Sequence, residues 1–511
     1  ASLLLTASAA AATLSVTPPA VGDNSRGKIT LNIGGIPAGA SLKVEKYYDF
    51  DADGQIDADE LPVQGFTITD GQLPIIGGVR NINVPGDEDA TADGQIRTEV
   101  FMPGVGQIAD HASGWFIYRV SGIAGGFEPA TARFRVTQTA KPQGVVGKVT
   151  QATSGTPLTA MIALVRQESN EGSVVLTDAA GNFTVYGEPG EYVLLAAWRG
   201  YVCNMPAAGV VLNAGEIVSR NLTLTPGTLT VSGQVLDTSL GFGLPGVLIS
   251  TESDSGWSSF GFTDTQGLID TRIVPDSWEF RLDGSSMAVQ GYVGFDEPLE
   301  AHLTTDLVGF SVPVTKANAL IYGTIKDDSN QPVFGLTIRA QEDSKTFEPK
   351  GTALTANGDY ALGVVGGMTW TVNFDDDEVQ AAGYFGPEHQ VTLAAGQAVR
   401  RDIVLRRRTA TISGHVRSST GRPVPDLYVW TSGSVNGTSY HADAQTDADG
   451  LFQLGVAPGS WTVGVDCGSD EGLYARGYGC PNSQAVIVTG PNHVLEFLTP
   501  ALEPGWTYLE S

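Results

Sequence analysis

The chain has 511 residues, more than one ordinary domain holds. Its 29 basic and 56 acidic side chains give a net charge of −27, which repels nucleic acid and anionic lipid and favours cations. Glycine is abundant at 64 residues, and short alternating runs punctuated by Gly, Pro, Asn and Asp replace any sustained helical period, so the expected class is all-β.

Residues 1–12, "ASLLLTASAAAA", carry no charge. The Leu run followed by small residues resembles the end of a secretory signal. The segment is short, broken by Ser and Thr and closed by Pro18-Pro19, which makes it a poor membrane span. Read as a strand, it puts Leu3, Leu5, Ala7 and Ala9 on one wholly apolar face. Such a strand can complete the open sheet of a neighbouring copy, and head-to-tail donation builds an open filament. It can also cover its own first domain, or form an Ala-rich helix.

Residues 13–138 hold about eight alternating runs, among them "GKITLNIGG" and "GWFIYRVSG", which fits an Ig-like sandwich. Inside it stands "YYDFDADGQIDADELP", Tyr47 to Pro62. Asp49, Asp51 and Asp53 occupy positions 1, 3 and 5 of a twelve-residue calcium loop. Gly54 turns the chain at position 6, Gln55 offers a backbone carbonyl, Asp57 follows at position 9 and Glu60 closes the loop. Calcium takes six to eight hard oxygens, which this spacing supplies. The flanks do not suit a sensor: "SLKVEKYY" alternates like a strand, and Pro62 and Gly65 are poor helix residues. The loop resembles that of EF-hands and dockerins but sits between strands, as a static clamp. A second acidic stretch, Pro85 to Glu99, offers Asp87, Asp89 and Asp93 for a possible second ion, with spacing unlike the first. "HADAQTDADG" (441–450) and "FDDDE" (374–378) read as a hairpin turn and a solvated loop.

Four later segments open alike, around Gly147, Gly233, Gly323 and Gly414. Each then carries a hairpin signal ("LTDAAGNF", "FTDTQGLI", "LTANGDY", "QTDADGLF") and a turn followed by an aromatic: Tyr192, Trp278, Trp370 and Trp461. These markers, in this order, resemble the carboxypeptidase regulatory-like domain, a transthyretin-like sandwich of the Cna-B-like kind. That resemblance implies a structural or binding module, not a catalyst. The repeats span 141–225, 226–315, 317–406 and 408–501, with a C-terminal tail at 502–511. With the Ig-like segment they make five tandem β-sandwiches, joined by short connections that favour a stiff or compact array. Related surface sandwiches carry Lys–Asn isopeptide bonds. Lys148 and Asn221 are the tempting pair here, without the usual accompanying motif.

Cys467 and Cys480 share one segment and can pair in an oxidising compartment, leaving Cys203 over. No Cys/His cluster suggests zinc. The six histidines stand at neither ligand nor triad spacing, and "GxSxG", P-loop and "HExxH" motifs are absent, so no enzyme is expected. Trp257, Phe260 and Phe262 lie in a Ser/Gly-rich stretch that could face a sugar or simply build a strand. The expectation is an extracellular, calcium-stabilised structural protein that polymerises with copies of itself. The alternative is a monomeric surface adhesin or carbohydrate-binding protein.

Overall fold

The computed structural model describes residues 10–25, 27–58, 60–102, 112–123, 125–166, 172–204, 209–352, 354–435, 438–469 and 471–501. The four donor positions Leu3, Leu5, Ala7 and Ala9, and the tail at 502–511, lie outside the described residues. The fold is all-β; among the described residues only two short helices, Gly284–Ala288 and Asp376–Ala381, interrupt the strands. No helix among them is long and apolar enough to cross a membrane.

The first segment forms two facing sheets. One contains β1 (Thr13–Thr17), β3 (Gly27–Gly34) and β6 (Gln95–Met102). The other contains β2 (Ala20–Gly22), β8 (Ala130–Thr137), β7 (Gly114–Gly122), β4 (Ser41–Asp49) and β5 (Pro62–Thr69), in that spatial order. Alternation explains the burial: Ile29, Leu31 and Ile33 of β3 point inward at every second position, to meet Leu42, Val44, Phe116 and Phe134 from the other sheet.

The repeat markers acquire physical roles. In three repeats the threonine of the hairpin signal is a buried staple. Thr177, Thr263 and Thr446 each accept a backbone N–H, from Ala160, Val247 and Leu427, and each donates to a carbonyl, of Leu158, Leu244 and Val424. The following aspartates, Asp178, Asp264 and Asp447, close the turn by accepting two N–H groups each on one carboxylate oxygen. In the third repeat Thr355 takes over that second role through its hydroxyl. The aromatic marker is equally regular. Tyr192, Trp278, Trp370 and Trp461 are all buried, and each donates its polar hydrogen to a carbonyl at the preceding turn: Glu188, Val274, Val365 and Ala457. The opening glycine is forced by close approach: a Cβ at Gly147 or Gly414 would fall on the carbonyl oxygen of Arg220 or Leu495.

The chain divides into two compact units, coarser than five separate segments. The first comprises Ala1–Thr324, Phe334–Val372 and Gln390–Arg401; the second comprises Ile325–Val333, Asn373–His389 and Asp402–Ser511. Their boundary falls inside the third repeat, in its opening strand Ala319–Asp327. Within the first unit the sandwiches share a core. Met161, Ala163 and Val174 of the first repeat and Phe262 of the second pack into the same cluster as the first sandwich. In the second unit a disulfide joins Cys467 and Cys480, and in the first unit Cys203 is free and buried. Asn221 is exposed, and its side-chain oxygen accepts the backbone N–H of Lys148 (3.0 Å); that carbonyl serves as a strand cap.

Candidate metal centre

β4 ends at Asp49 and β5 begins at Pro62, so the acidic loop spans two neighbouring antiparallel strands. Strand pairing fixes the first ligand position: Asp49 lies opposite Trp115 of β7 and is 2% exposed. Two left-handed residues, Ala52 (φ 61°) and Gly54 (φ 84°), curl the chain back. A Cβ on Gly54 would sit 3.2 Å from the Arg133 side chain, so glycine suits both the backbone and the space.

The curl gathers acid. Carboxylate oxygens of Asp49, Asp51 and Asp53 all lie within 4.8 Å of one another, the one such group among the described residues. Asp49 Oδ2 accepts the Gly54 N–H (3.1 Å) and pairs with the Arg133 guanidinium (3.0 Å), which also donates to the Ala52 carbonyl. Asp49 Oδ1 is buried and has no hydrogen-bond partner. Asp51 Oδ1 accepts the Asp53 N–H, and Asp53 accepts both the backbone and side-chain N–H groups of Gln55. Glu60 reaches back from the far end: its oxygens accept the N–H groups of Phe50 (2.8 Å) and Asp57 (3.1 Å). Burial raises the Glu60 pKa above the usual 4.5, and the charges of Asp49 and Asp57 push it in the same direction.

The arrangement is electrostatically incomplete. Among the described residues, the ion pairs set one cation, Arg133, against the cluster of Asp49, Asp51 and Asp53, and it stacks on Trp115 at 4.2 Å. A buried anionic oxygen without a donor is costly, and a hard cation removes that cost. The donor set, all carboxylate and carbonyl oxygen, fits calcium or magnesium and not a soft metal. The Gln55 side-chain amide is tied to Asp53, which leaves its main-chain carbonyl as the group it could offer an ion.

The loop is also a joint. Phe50, between the first two aspartates, packs edge-on against Trp198 of the first repeat with ring centroids 5.1 Å apart. Close by, Ser113 at the head of β7 donates its N–H to the Val174 carbonyl of that repeat. Arg133 and Trp198, distant in sequence, are the participants that spacing alone does not reveal.

The second acidic stretch is built differently. Asp87 is fully buried and accepts the N–H groups of Gly71 (2.8 Å) and Arg97 (3.2 Å), one on each oxygen. Its pKa is raised, chiefly by burial. Asp89 and Asp93 close their own turns by accepting the Thr91 and Gln95 N–H groups. These three do not gather their oxygens as the first loop does. Asp70, which the sequence reading passes over, caps Gly39 and Gly94 from a buried position and leaves its Oδ1 without a partner. In "FDDDE" Asp375 caps the helix that follows it. Phe260 and Phe262 pack against the shared core and Trp257 against that of the second repeat, so they build strands.

No known family model matches the chain, and no curated protein matches it. Among solved structures it is similar to the Bacillus anthracis TIE protein at 12% identity, covering 78% of this chain and 75% of that one, with a TM-score of 0.18. It is similar to a streptococcal ancillary pilin at 12% identity, covering 54% and 99%, with a TM-score of 0.20. A third, the major pilin subunit of Bacillus cereus, is 11% identical over 71% and 99%, with a TM-score of 0.15. Superpositions this slight carry no argument about what the chain does.

Proposed function

We propose that this chain is an extracellular structural protein, stabilised by calcium at the Asp49–Glu60 loop, that assembles head to tail into a surface filament. The observation that carries the calcium reading is the buried, unpartnered Asp49 Oδ1 within a cluster of carboxylates. Asp49, Asp51 and Asp53 would hold the ion by their side chains, Gln55 by its carbonyl, Asp57 directly or through water, and Glu60 by its carboxylate. Calcium supplies charge neutralisation there, not chemistry. Because Phe50 bears on Trp198, tightening the loop stiffens the joint between the first sandwich and the first repeat. Stiff joints suit a load-bearing subunit. The disulfide of the fourth repeat agrees with an oxidising compartment outside the cell.

Assembly would use the uncharged segment at residues 1–9, donating Leu3, Leu5, Ala7 and Ala9 to a neighbouring copy. The test is negative-stain electron microscopy of the full chain in calcium and in chelator, beside a variant lacking residues 1–12. Filaments of the parent and single particles of the truncated form are expected. Single particles of the parent in calcium would refute polymerisation and leave a monomeric surface-binding protein.

A further inference from the structure

The outer face of one sheet in the second unit has features that the filament reading does not use. Its strands are Tyr428–Val435, Thr438–Gln445, Gly459–Val465 and Gln484–Val488. Alternation sends Val429, Thr431, Val463 and Val465 inward and leaves Tyr428, Trp430, Ser432, His441, Thr462 and Gly464 on the outer side. Trp430 stands directly opposite Gly464, and a Cβ on that glycine would fall on the six-membered ring of the indole. The indole therefore lies flat across the neighbouring strand. It is 36% exposed, and Tyr428, two positions away on the same face, is 43% exposed.

The inner face shows the same device used for stability. Trp461 lies across Gly433, is 2% exposed, and satisfies its N–H on Ala457. On the outer face the same packing covers only one side of the indole. Its surroundings are polar and of mixed character. Asp443 pairs across from Trp430, Gln445 from Tyr428, and His441 and Thr462 flank Ser432 on either side.

We propose that this face, centred on Trp430 and Tyr428, binds a neutral polysaccharide. A pyranose ring presents a flat C–H surface that packs on an electron-rich aromatic face. Its hydroxyls need donors and acceptors around the rim, which Asp443, Gln445, His441, Ser432 and Thr462 provide. Charge narrows the ligand: a chain at −27 repels polyanions, leaving uncharged glycans. The other large exposed apolar side chain on this face, Ile487, stands opposite Ser460 at the far end of the strands from Trp430, so the indole and the phenol do not belong to the broad continuous apolar patch that a peptide or a second copy would need. This inference concerns the single chain and does not depend on polymerisation.

The test is affinity electrophoresis of the full chain through gels containing mixed-linkage β-glucan, xyloglucan, galactomannan or dextran, with alginate as the polyanion. At least one neutral polymer is expected to retard the parent. Trp430→Ala should weaken that retardation at least tenfold, and Tyr428→Ala should weaken it severalfold. Circular dichroism checks that each variant is folded; Tyr428, which does not lie across a glycine, keeps the test open if Trp430→Ala unfolds. No retardation by any neutral polymer, retardation by alginate alone, or folded variants that behave like the parent would each overturn the proposal.

Discussion

Replacing Asp49 by Asn removes one charge and keeps the side-chain shape. The amide oxygen can still accept the Gly54 N–H, but the ion pair with Arg133 is lost. The Arg133 side chain is 39% exposed, so solvent screens that pair, and its loss costs about 1 kcal/mol or less. Part of that is offset, because Asp49 no longer repels Glu60. In chelator, therefore, parent and variant should melt within a few degrees of each other. Calcium changes the comparison. At a hundredfold excess over its Kd, an ion bound only to the native state adds about 2.7 kcal/mol. If the neutral ligand weakens binding tenfold to a hundredfold, the variant forgoes roughly 1.3 to 2.3 kcal/mol of that gain at the same calcium concentration. The calcium-dependent difference thus exceeds the calcium-free one. Differential scanning calorimetry in chelator and in calcium reads both. An equal calcium-induced rise in parent and variant, or no rise in the parent, would refute the reasoning.

Three further outcomes are expected. Glu60 has a raised pKa in the fold, so its contribution to stability is greatest below its usual 4.5 and is lost as pH rises through the folded value. In chelator, the stability of the parent relative to Glu60→Gln should therefore improve as pH falls towards 4.5, and calcium should reverse that slope; urea titrations across pH measure it, and a flat difference in chelator counts against it. Thr446→Val strands the buried Leu427 N–H, which costs about 1–3 kcal/mol; an unchanged urea midpoint for the second unit would contradict the staple role. Replacing Cys467 and Cys480 together by Ser opens a cross-link of sequence separation 13, worth about 3 kcal/mol by the chain-entropy account. Calorimetry should show the second unit melting earlier and the first unchanged.

Much of this fold is legible in the sequence because the devices that build it are local. Thr446 and Asp447 sit side by side and satisfy donors within about twenty residues, so the same letters return wherever the turn returns. Trp461 finds its acceptor four residues back. The acidic loop is readable for the same reason: one turn supplies the whole donor set. Its setting is not readable. Arg133 reaches Asp49 across a gap of 84 positions, and Trp198 meets Phe50 only because the first repeat folds against the first sandwich. The outer face around Trp430 stays hidden too, because an alternating run does not say which face meets solvent or that a glycine stands opposite the indole.

In so acidic a chain, counting carboxylates cannot separate ion sites from turns, but counting donors can. Asp178, Asp264 and Asp447 spend one oxygen on two backbone N–H groups and leave the carboxylate at an exposed turn. Asp87 is buried, yet each of its oxygens meets an N–H. Asp49 is also buried, and its second oxygen meets nothing while Asp51 and Asp53 crowd beside it. Asp70 shares the bare oxygen, but no trio of acidic side chains converges on it among the described residues. An anionic oxygen in that position lowers its energy by meeting a cation. Asp51 and Asp53 are exposed and keep the local potential negative, which draws a cation towards it. The physical distinction between the two acidic stretches is thus the supply of backbone N–H groups. Where the turn provides enough of them the carboxylate is a staple; where it falls one short and further carboxylates crowd beside it, as at Asp49, the bare oxygen is what supports the proposed ion site.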